Sequence, residues 1–346
     1  MKEKLLLLCG GQSGEHIVSR MSCTSVLNNL ENDAYEVTLV GIDLDGVWYQ
    51  LDTNQNDLTK DNWLENSCKI TDLYSLLKEM DIAFSLLHGV NGEDGTIQGL
   101  FELTNIPYVG CHVLGSSLAM DKVYAKKIFN NAKIPQVPSL YIKKRYDGKM
   151  VAVNDAFEEH NDIKTMITKV IGFPCFVKAS NSGSSVGCYR VNSADVLLSK
   201  LEDALQYDRK VIVEKCIDCI ELECAVLGND DPIVSRVGQI VSHGEFYTFD
   251  SKYNDKDSKT FIPALVSEEI QEQVRKYALT AFKAIDGHGL SRVDFFLDKQ
   301  TNTIYLNEVN TMPGFTNISM YPKLMEDFGI TNTELINRLI LLAKEV

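Results

Sequence analysis

The sequence contains no apolar run long enough to cross a membrane. The longest run near its start, Leu5–Cys9, falls far short of the ~20 residues that a helical span needs. It also lacks the apolar length and cleavage pattern of a secretory leader. Basic clusters are missing: 34 Lys and Arg stand against 48 Asp and Glu, a formal net charge of −14. So acidic a chain is poorly suited to gripping nucleic-acid phosphates or reading anionic lipid. No second cysteine pair accompanies Cys216-x-x-Cys219, although Cys224 is near, and a structural zinc site needs four ligands. Nine scattered cysteines, an odd number, read as reduced thiols in a cytoplasmic chain whose core needs no disulfides. No internal repeat or low-complexity segment occurs.

What is present suits a globular chain. Hydrophobic residues make up 45% and charged residues 24% of 346, enough for two or three domains with buried cores. In the first third, Leu5–Cys9, Glu36–Ile42 and Asp81–Leu87 read as buried parallel strands with helices between them, an open α/β sheet. Pro107–Gly110 reads as a further short strand. A helix is expected from Lys122 to Ala132, ended by Ile134-Pro135. A smaller α+β region follows, with strands at Ser139–Ile142, Cys175–Lys178, Gly187–Val191 and Val211–Lys215. Its helices are expected at 155–170 and 194–206. Then come strands at Glu221–Leu227 and Ser235–Val241, a polar loop from His243 to Thr260, and a helix from Glu268 to Ile285. Ile270, Val274, Tyr277, Ala281, Phe282 and Ile285 form one helical stripe, read as core packing.

The most informative stretch is Arg292–Asn310. Two β-rich runs flank a polar turn at Asp298–Thr303, a hairpin. Strand alternation puts Arg292 and Asp294 on one face, and Ile304, Leu306, Glu308 and Asn310 on one face of the second strand. A turn centred near Thr301 sets Asp294 opposite Glu308 and Arg292 opposite Asn310. Cross-strand carboxylates repel unless a cation joins them, and hard oxygen donors of this kind suit Mg²⁺ beside substrate phosphates. Arg292 would then stabilise developing negative charge. The competing reading is a solvent-facing polar hairpin. The Gly-containing loop that follows, Thr311–Asn317, favours the first, because its backbone amides can hold an anion.

Three Gly-rich segments add to this. Cys9-Gly10-Gly11-Gln12-Ser13-Gly14-Glu15-His16 and Leu87–Gly95 each follow a buried strand, where ligands bind at the carboxyl end of a parallel sheet. Lys178 through Ser182-Gly183-Ser184-Ser185 to Gly187 joins two strands, with a lysine and loop amides for phosphate. Neither the first nor the third is a Walker A loop or a clean G-x-G-x-x-G, which opposes a Rossmann dehydrogenase.

Taken in order, these segments resemble the D-alanine–D-alanine ligase family. The matches are Gly10-Gly11 with Ser13 and Glu15-His16, Leu87-His88-Gly89 with Gly92–Gly99, Met120-Asp121-Lys122, Gly183–Gly187, Glu214-Lys215, Lys252-Tyr253, Arg292-Val293-Asp294, and Asn307–Thr316 continuing to Ser319–Pro322. They span almost the whole chain. The resemblance implies an ATP-grasp fold, α/β and α+β. It has an N-terminal open parallel α/β domain (1–121), a central α+β subdomain (122–215) and a C-terminal antiparallel-sheet subdomain (216–346), with residues 243–260 as a lid. It implies ATP as substrate, two Mg²⁺ ions with Mn²⁺ as a substitute, and a homodimer.

Residue by residue, the resemblance implies that Lys122, Lys178, Ser185 and Lys252 serve the ATP phosphates. Glu214 and Lys215 would serve the adenine side, and Glu221 the ribose. Asp294, Glu308 and Asn310 would hold the metal ions. Arg292 and the Gly314 amide would stabilise the acyl-phosphate and tetrahedral oxygens. Glu15 would anchor the first D-alanine's ammonium with Ser184 and Tyr253 beside it, and His88 would lie near its carboxylate. Ser319 and Met320 would form the pocket of the second D-alanine. Cys219-Ile220 stands where the family often has Gly-Arg, and Ala179 where Pro is common. A ligase adding D-lactate or D-serine is the nearest alternative; Lys252-Tyr253 and Met320 favour D-alanine. A noncatalytic regulator would be expected to lack a metal ligand or Arg292, and none is missing.

Overall fold

The computed structural model describes residues 2–31, 33–53, 57–154, 156–184, 186–241 and 259–345. Ser185, Lys252, Tyr253 and nearly all of the expected 243–260 lid lie outside them.

Three sheets organise the described residues. In the first, β1 (Glu3–Gly10), β2 (Tyr35–Ile42) and β5 (Ile82–Ser85) are parallel, and β3 (Trp48–Gln50) and β4 (Cys68–Lys69) extend one edge antiparallel. Leu5, Leu6, Leu7, Leu8 and Cys9 are all fully buried, the unbroken apolar run of a strand covered on both faces. With β2 on one side of β1 and β5 on the other, the winding reverses at β1. The loops leaving the carboxyl ends of β1 and β5 open a crevice there. Residues 107–110 contribute one bridge, Ala83 with Tyr108, rather than a strand.

After α4 (Val113–Met120) and α5 (Lys122–Asn131) comes an antiparallel sheet of β6 (Ser139–Lys144), β7 (Met150–Val153), β8 (Glu159–His160), β9 (Cys175–Ala179), β10 (Cys188–Val191) and β11 (Lys210–Lys215). The helices α6 (Ile163–Val170) and α7 (Ala194–Ala204) cover one face, with Ile167, Leu197 and Leu201 against Val177, Val211 and Val213. Alternation turns Phe176, Lys178, Ile212 and Glu214 to the other face. The helix expected from 155 starts only at Ile163. Asp162 accepts the Thr165 N–H and caps it there, while Glu159 and His160 pair with β7. An N-cap aspartate and a strand partner together outweigh the helical propensity of the residues before it.

The third sheet is antiparallel, in the order β14 (Lys259–Phe261), β13 (Ile233–Val241), β12 (Cys219–Leu227), β15 (Leu290–Asp298), β16 (Ile304–Asn310). The end of the expected lid is therefore strand. The helix α8 (Glu268–Ala284) packs its stripe on this sheet. Val274, Ala281, Phe282 and Ile285 are buried with Leu222, Val293 and Phe295, and Ile270 and Tyr277 flank them. Each such large apolar side chain contributes roughly 1.5–3 kcal/mol on burial. Met320, Tyr321 and Leu324 of α9 (Met320–Asp327) and Leu335 and Leu339 of α10 (Asn332–Leu342) join a core with Leu5, Leu7 and Phe84, so the first and third sheets share one apolar layer.

The hairpin has the expected register: Arg292 pairs with Asn310 and Asp294 with Glu308. The expected face of its second strand is wrong in part. Phe295 pairs with Leu306, not Asn307, so β16 carries a bulge at Asn307. Ile304, Leu306 and Val309 are all buried in the core, whereas Asn307 and Glu308 both line a cavity. One extra residue switches the parity of the strand, separating Ile304 and Leu306 from the Glu308 face.

Candidate active site

Two cavities meet between the sheets. The larger, about 570 Å³, lies between the central sheet and the third sheet. Its volume suits a cofactor-sized ligand. Phe176 and Lys178 of β9 form one wall and Phe296 and Asp294 of β15 the other. The Lys178 ammonium lies 5.9 Å from both ring centres. It pairs at 2.6 Å with Glu214 of β11, which also binds Lys126 of α5 at 2.8 Å. Burial opposes charge on Glu214, but the two lysines outweigh it and hold the carboxyl far below its usual range. Lys178 is likewise desolvated, and Glu214 raises it above the ordinary lysine value. Lys215, Cys216, Cys219 and Glu221 line the far end.

At the mouth shared with the smaller cavity, Lys122 donates to the Ser182 carbonyl at 2.6 Å and lies 3.9 Å from Glu308. Arg292 grips Asp294 through two bonds of 2.7 Å, and its Nε lies 3.0 Å from Glu223 of β12. Desolvation disfavours the guanidinium charge, yet Asp294 and Glu223 more than offset this, so Arg292 stays cationic throughout the working pH range. The Asn310 amide donates to Asp294 at 3.1 Å. Two carboxylates and an amide therefore meet on one face of the hairpin, a donor set that fits a hard divalent cation completed by phosphate oxygens and water. Among the described residues no cluster of three or more His, Cys, Asp or Glu is arranged for a metal. Cys216 and Cys219 both line the large cavity, and all nine cysteines are free thiols.

The smaller cavity, about 110 Å³, is lined by Glu15, His88, Arg292, Gly314, Ser319 and Met320. Glu15 stands at the N-terminus of α1 (His16–Asn29) and accepts a short hydrogen bond from Ser184. Gly89 and Gly183 crowd its other oxygen. A Cβ at either would come within 2.6 or 2.7 Å of Glu15 Oε2 and push that carboxylate aside, and Gly89 also holds a φ of +69° that favours glycine. His88 is 3% exposed with both ring nitrogens engaged, Nδ1 at 2.9 Å from the Met312 carbonyl and Nε2 at 2.9 Å from the Ser22 hydroxyl. A carbonyl only accepts, so Nδ1 carries the proton and Nε2 accepts from Ser22. Desolvation keeps this ring neutral against the pull of Glu15. The Ser319 hydroxyl accepts the Thr316 N–H at 3.1 Å, folding the 314–319 loop so that Gly314 and Ser319 lie side by side.

Two family models match the chain: D-ala D-ala ligase N-terminus over residues 4–111 and D-ala D-ala ligase C-terminus over residues 143–341. The chain belongs to the D-alanine–D-alanine ligase family. A D-alanine–D-alanine ligase of Acetivibrio thermocellus is 46% identical over 370 residues, covering 99% of this chain and 96% of that one. Among solved structures, the VanG D-Ala:D-Ser ligase from Enterococcus faecalis matches with a TM-score of 0.86 at 34% identity, covering 99% of this chain and 100% of that one. The D-alanine–D-alanine ligase from Coxiella burnetii matches at 0.84 and 32%, covering 99% and 94%. The fold is that of this ligase family, and no helix among the described residues is long and apolar enough to cross a membrane.

Within this ligase framework the structure gathers Glu15, His88, Ser184, Arg292, Gly314, Ser319 and Met320 around the small cavity. Lys178, Glu214, Lys215, Glu221 and Asp294 surround the large one. Lys122, Ser184 and Glu308 line both. Sequence reasoning missed Phe176, Phe296, Glu223, Lys126 and Glu93. Alternation from Lys178 and Asp294 points to Phe176 and Phe296, and from Glu221 to Glu223. Lys126, one turn after Lys122, carried a helical-spacing signal. Glu93 sat unremarked inside the 87–95 loop.

Proposed function

We propose that the chain is an ATP-dependent ligase that joins two D-alanine molecules into D-alanyl-D-alanine for cell-wall precursor synthesis, releasing ADP and phosphate. The observation that carries this reading is the meeting of a nucleotide-sized cavity with a small polar one across Lys122, Glu308 and the Arg292–Asp294 pair. ATP lies in the large cavity, its base between the Phe176 and Phe296 walls near Glu214 and Lys215, its ribose at Glu221 and its phosphates at Lys178 and Lys122. Glu15 anchors the ammonium of the first D-alanine, so its carboxylate faces Arg292 and the γ-phosphate. The carboxylate attacks that phosphate, ADP leaves, and a D-alanyl phosphate forms. The second D-alanine, held at Ser319 and Met320, attacks the carbonyl through its neutral amine. Arg292 and the Gly314 N–H stabilise the oxyanion, and phosphate departs with the proton given up by the amine nitrogen.

Asp294, Glu308 and Asn310 would hold Mg²⁺ or Mn²⁺. Bound there, the metal supplies charge neutralisation to the phosphates. A homodimer is the proposed assembly, and light scattering reads it directly.

The test is phosphate release from ATP and Mg²⁺ with D-alanine alone, then with D-serine or D-lactate added, products identified by mass. The reading expects D-alanine-dependent release, the D-Ala–D-Ala mass, and loss of both in Glu308→Gln. Release that requires D-serine would assign the chain to the activity named for VanG. No amino-acid-dependent release would refute the ligase reading.

A further inference from the structure

The peptide of Met312 is clamped at both ends by the loop after β5. Its carbonyl accepts from His88 Nδ1 at 2.9 Å, and its N–H donates to Glu93 Oε2 at 3.3 Å. The second oxygen of Glu93 accepts the Gly89 N–H at 2.8 Å. One carboxylate thus joins two loops that are 219 residues apart in sequence. Gly89 abuts the Glu15 carboxylate. Two residues beyond Met312 lies Gly314, which lines the small cavity with Arg292.

We propose that Glu93 is a positioning residue for the ligation: by holding the Gly89 and Met312 amides at once, it fixes the 312–314 backbone, and with it the Gly314 N–H, relative to the Glu15 anchor. This rests on the ligase reading above. Glu93 lines the small cavity, but both its oxygens are engaged by backbone amides, so it acts through the backbone it holds. A displacement of this loop by a few tenths of an ångström moves the oxyanion donor off its target while leaving the nucleotide cavity intact, because no residue of that cavity bonds to Glu93.

The groups facing Glu93 are Glu15 at the start of α1, Arg292 on β15, and the buried His88 and Cys111. Desolvation, then Glu15, push its carboxyl up to about 8, while the two amides and Arg292 pull the other way. Ionised, the carboxylate offers an acceptor oxygen to each N–H; protonated, one oxygen becomes a donor and the clamp loosens. Turnover is therefore expected to rise as pH climbs through about 8.

The experiment compares wild type, Glu93→Gln and Glu93→Asp. Dipeptide synthesis and ATP affinity are measured from pH 6.5 to 9.5, and amide hydrogen exchange of residues 310–316 is followed by mass spectrometry. Glu93→Gln replaces one acceptor oxygen by an amide NH₂ donor facing an N–H. Its kcat is expected to fall about 10- to 100-fold, with ATP Kd within about twofold of wild type. The rise near pH 8 should vanish, and exchange across 310–316 should accelerate severalfold. Wild-type kcat with unchanged exchange would overturn the proposal. Should Glu93→Gln fail to bind ATP, Glu93→Asp carries the same test, because it keeps the charge but is too short to reach both amides. A wild-type protein that makes no dipeptide refutes the ligase reading; the exchange measurement still decides whether Glu93 holds the loop.

Discussion

Glu214 shares its carboxylate between Lys126 and Lys178, and its side chain and that of Lys126 are 8% and 9% exposed. Replacing it by Gln leaves two ammonium groups converging on a neutral amide. Removing one member of a buried ion pair costs about 3–5 kcal/mol, because the partner's desolvation is no longer offset. That corresponds to a fall of order 10 °C in the unfolding midpoint. Lys126→Met alone removes a charged hydrogen bond, a loss of about 1.5–3 kcal/mol. In the double variant the mutual repulsion is gone and Lys178 is free to turn toward the open cavity. The double should therefore be less destabilised than the sum by at least about 1 kcal/mol. The assay is thermal unfolding of the ligand-free proteins, with ATP affinity measured in parallel. The pH dependence has a definite sign. A depressed carboxyl stabilises fully above its ordinary pKa and loses that stabilisation as pH falls through the lower folded value. The raised Lys178 does the reverse at the alkaline end. The triad thus contributes fully between about pH 5 and pH 10, and Glu214→Gln should flatten the acid limb. A Glu214→Gln protein as stable as wild type, or strictly additive variants, would refute this account.

Gly89→Ala puts a methyl 2.6 Å from Glu15 Oε2 at a backbone φ of +69°. The KM for the first D-alanine is expected to rise by about 10-fold or more with ATP affinity unchanged, measured by coupled phosphate release. Phe296→Ala removes one ring wall of the large cavity and should weaken ATP about 10-fold by calorimetry, with KM for D-alanine unaffected. Cys68 is exposed, whereas burial pushes Cys219 and Cys224 up to about 12. Maleimide at pH 7.5 should therefore label Cys68 first, with Cys224 labelled only after denaturation, as read by peptide mass mapping.

Much of the site was legible because strands alternate. The residue count across the turn at Thr301 set Asp294 against Glu308 and Arg292 against Asn310, and the structure has both pairs. The apolar run Leu5–Cys9 reads as a doubly covered strand for the same reason that it is one: no polar residue interrupts it. What escaped depends on contacts far apart in the chain. Glu93 becomes meaningful only when Met312 arrives beside it, and Lys126 only when Glu214 does. The strand at Glu159–His160 has no period of its own; pairing with β7 decides it. The bulge at Asn307 left no mark either, since Asn fits a regular strand edge as well as an irregular one.

That bulge lets the site tolerate one change in chain length. Deleting Asn307 alone would leave the turn and every charged side chain of the hairpin in place. Regular alternation would then return with Leu306 and Val309 still in the apolar layer and Glu308 and Asn310 still toward the cavity. A homologue aligned with a single gap there would keep the arrangement on which the chemistry depends. Insertions in the Asp298–Thr303 turn, distal to the bulge, would leave it undisturbed.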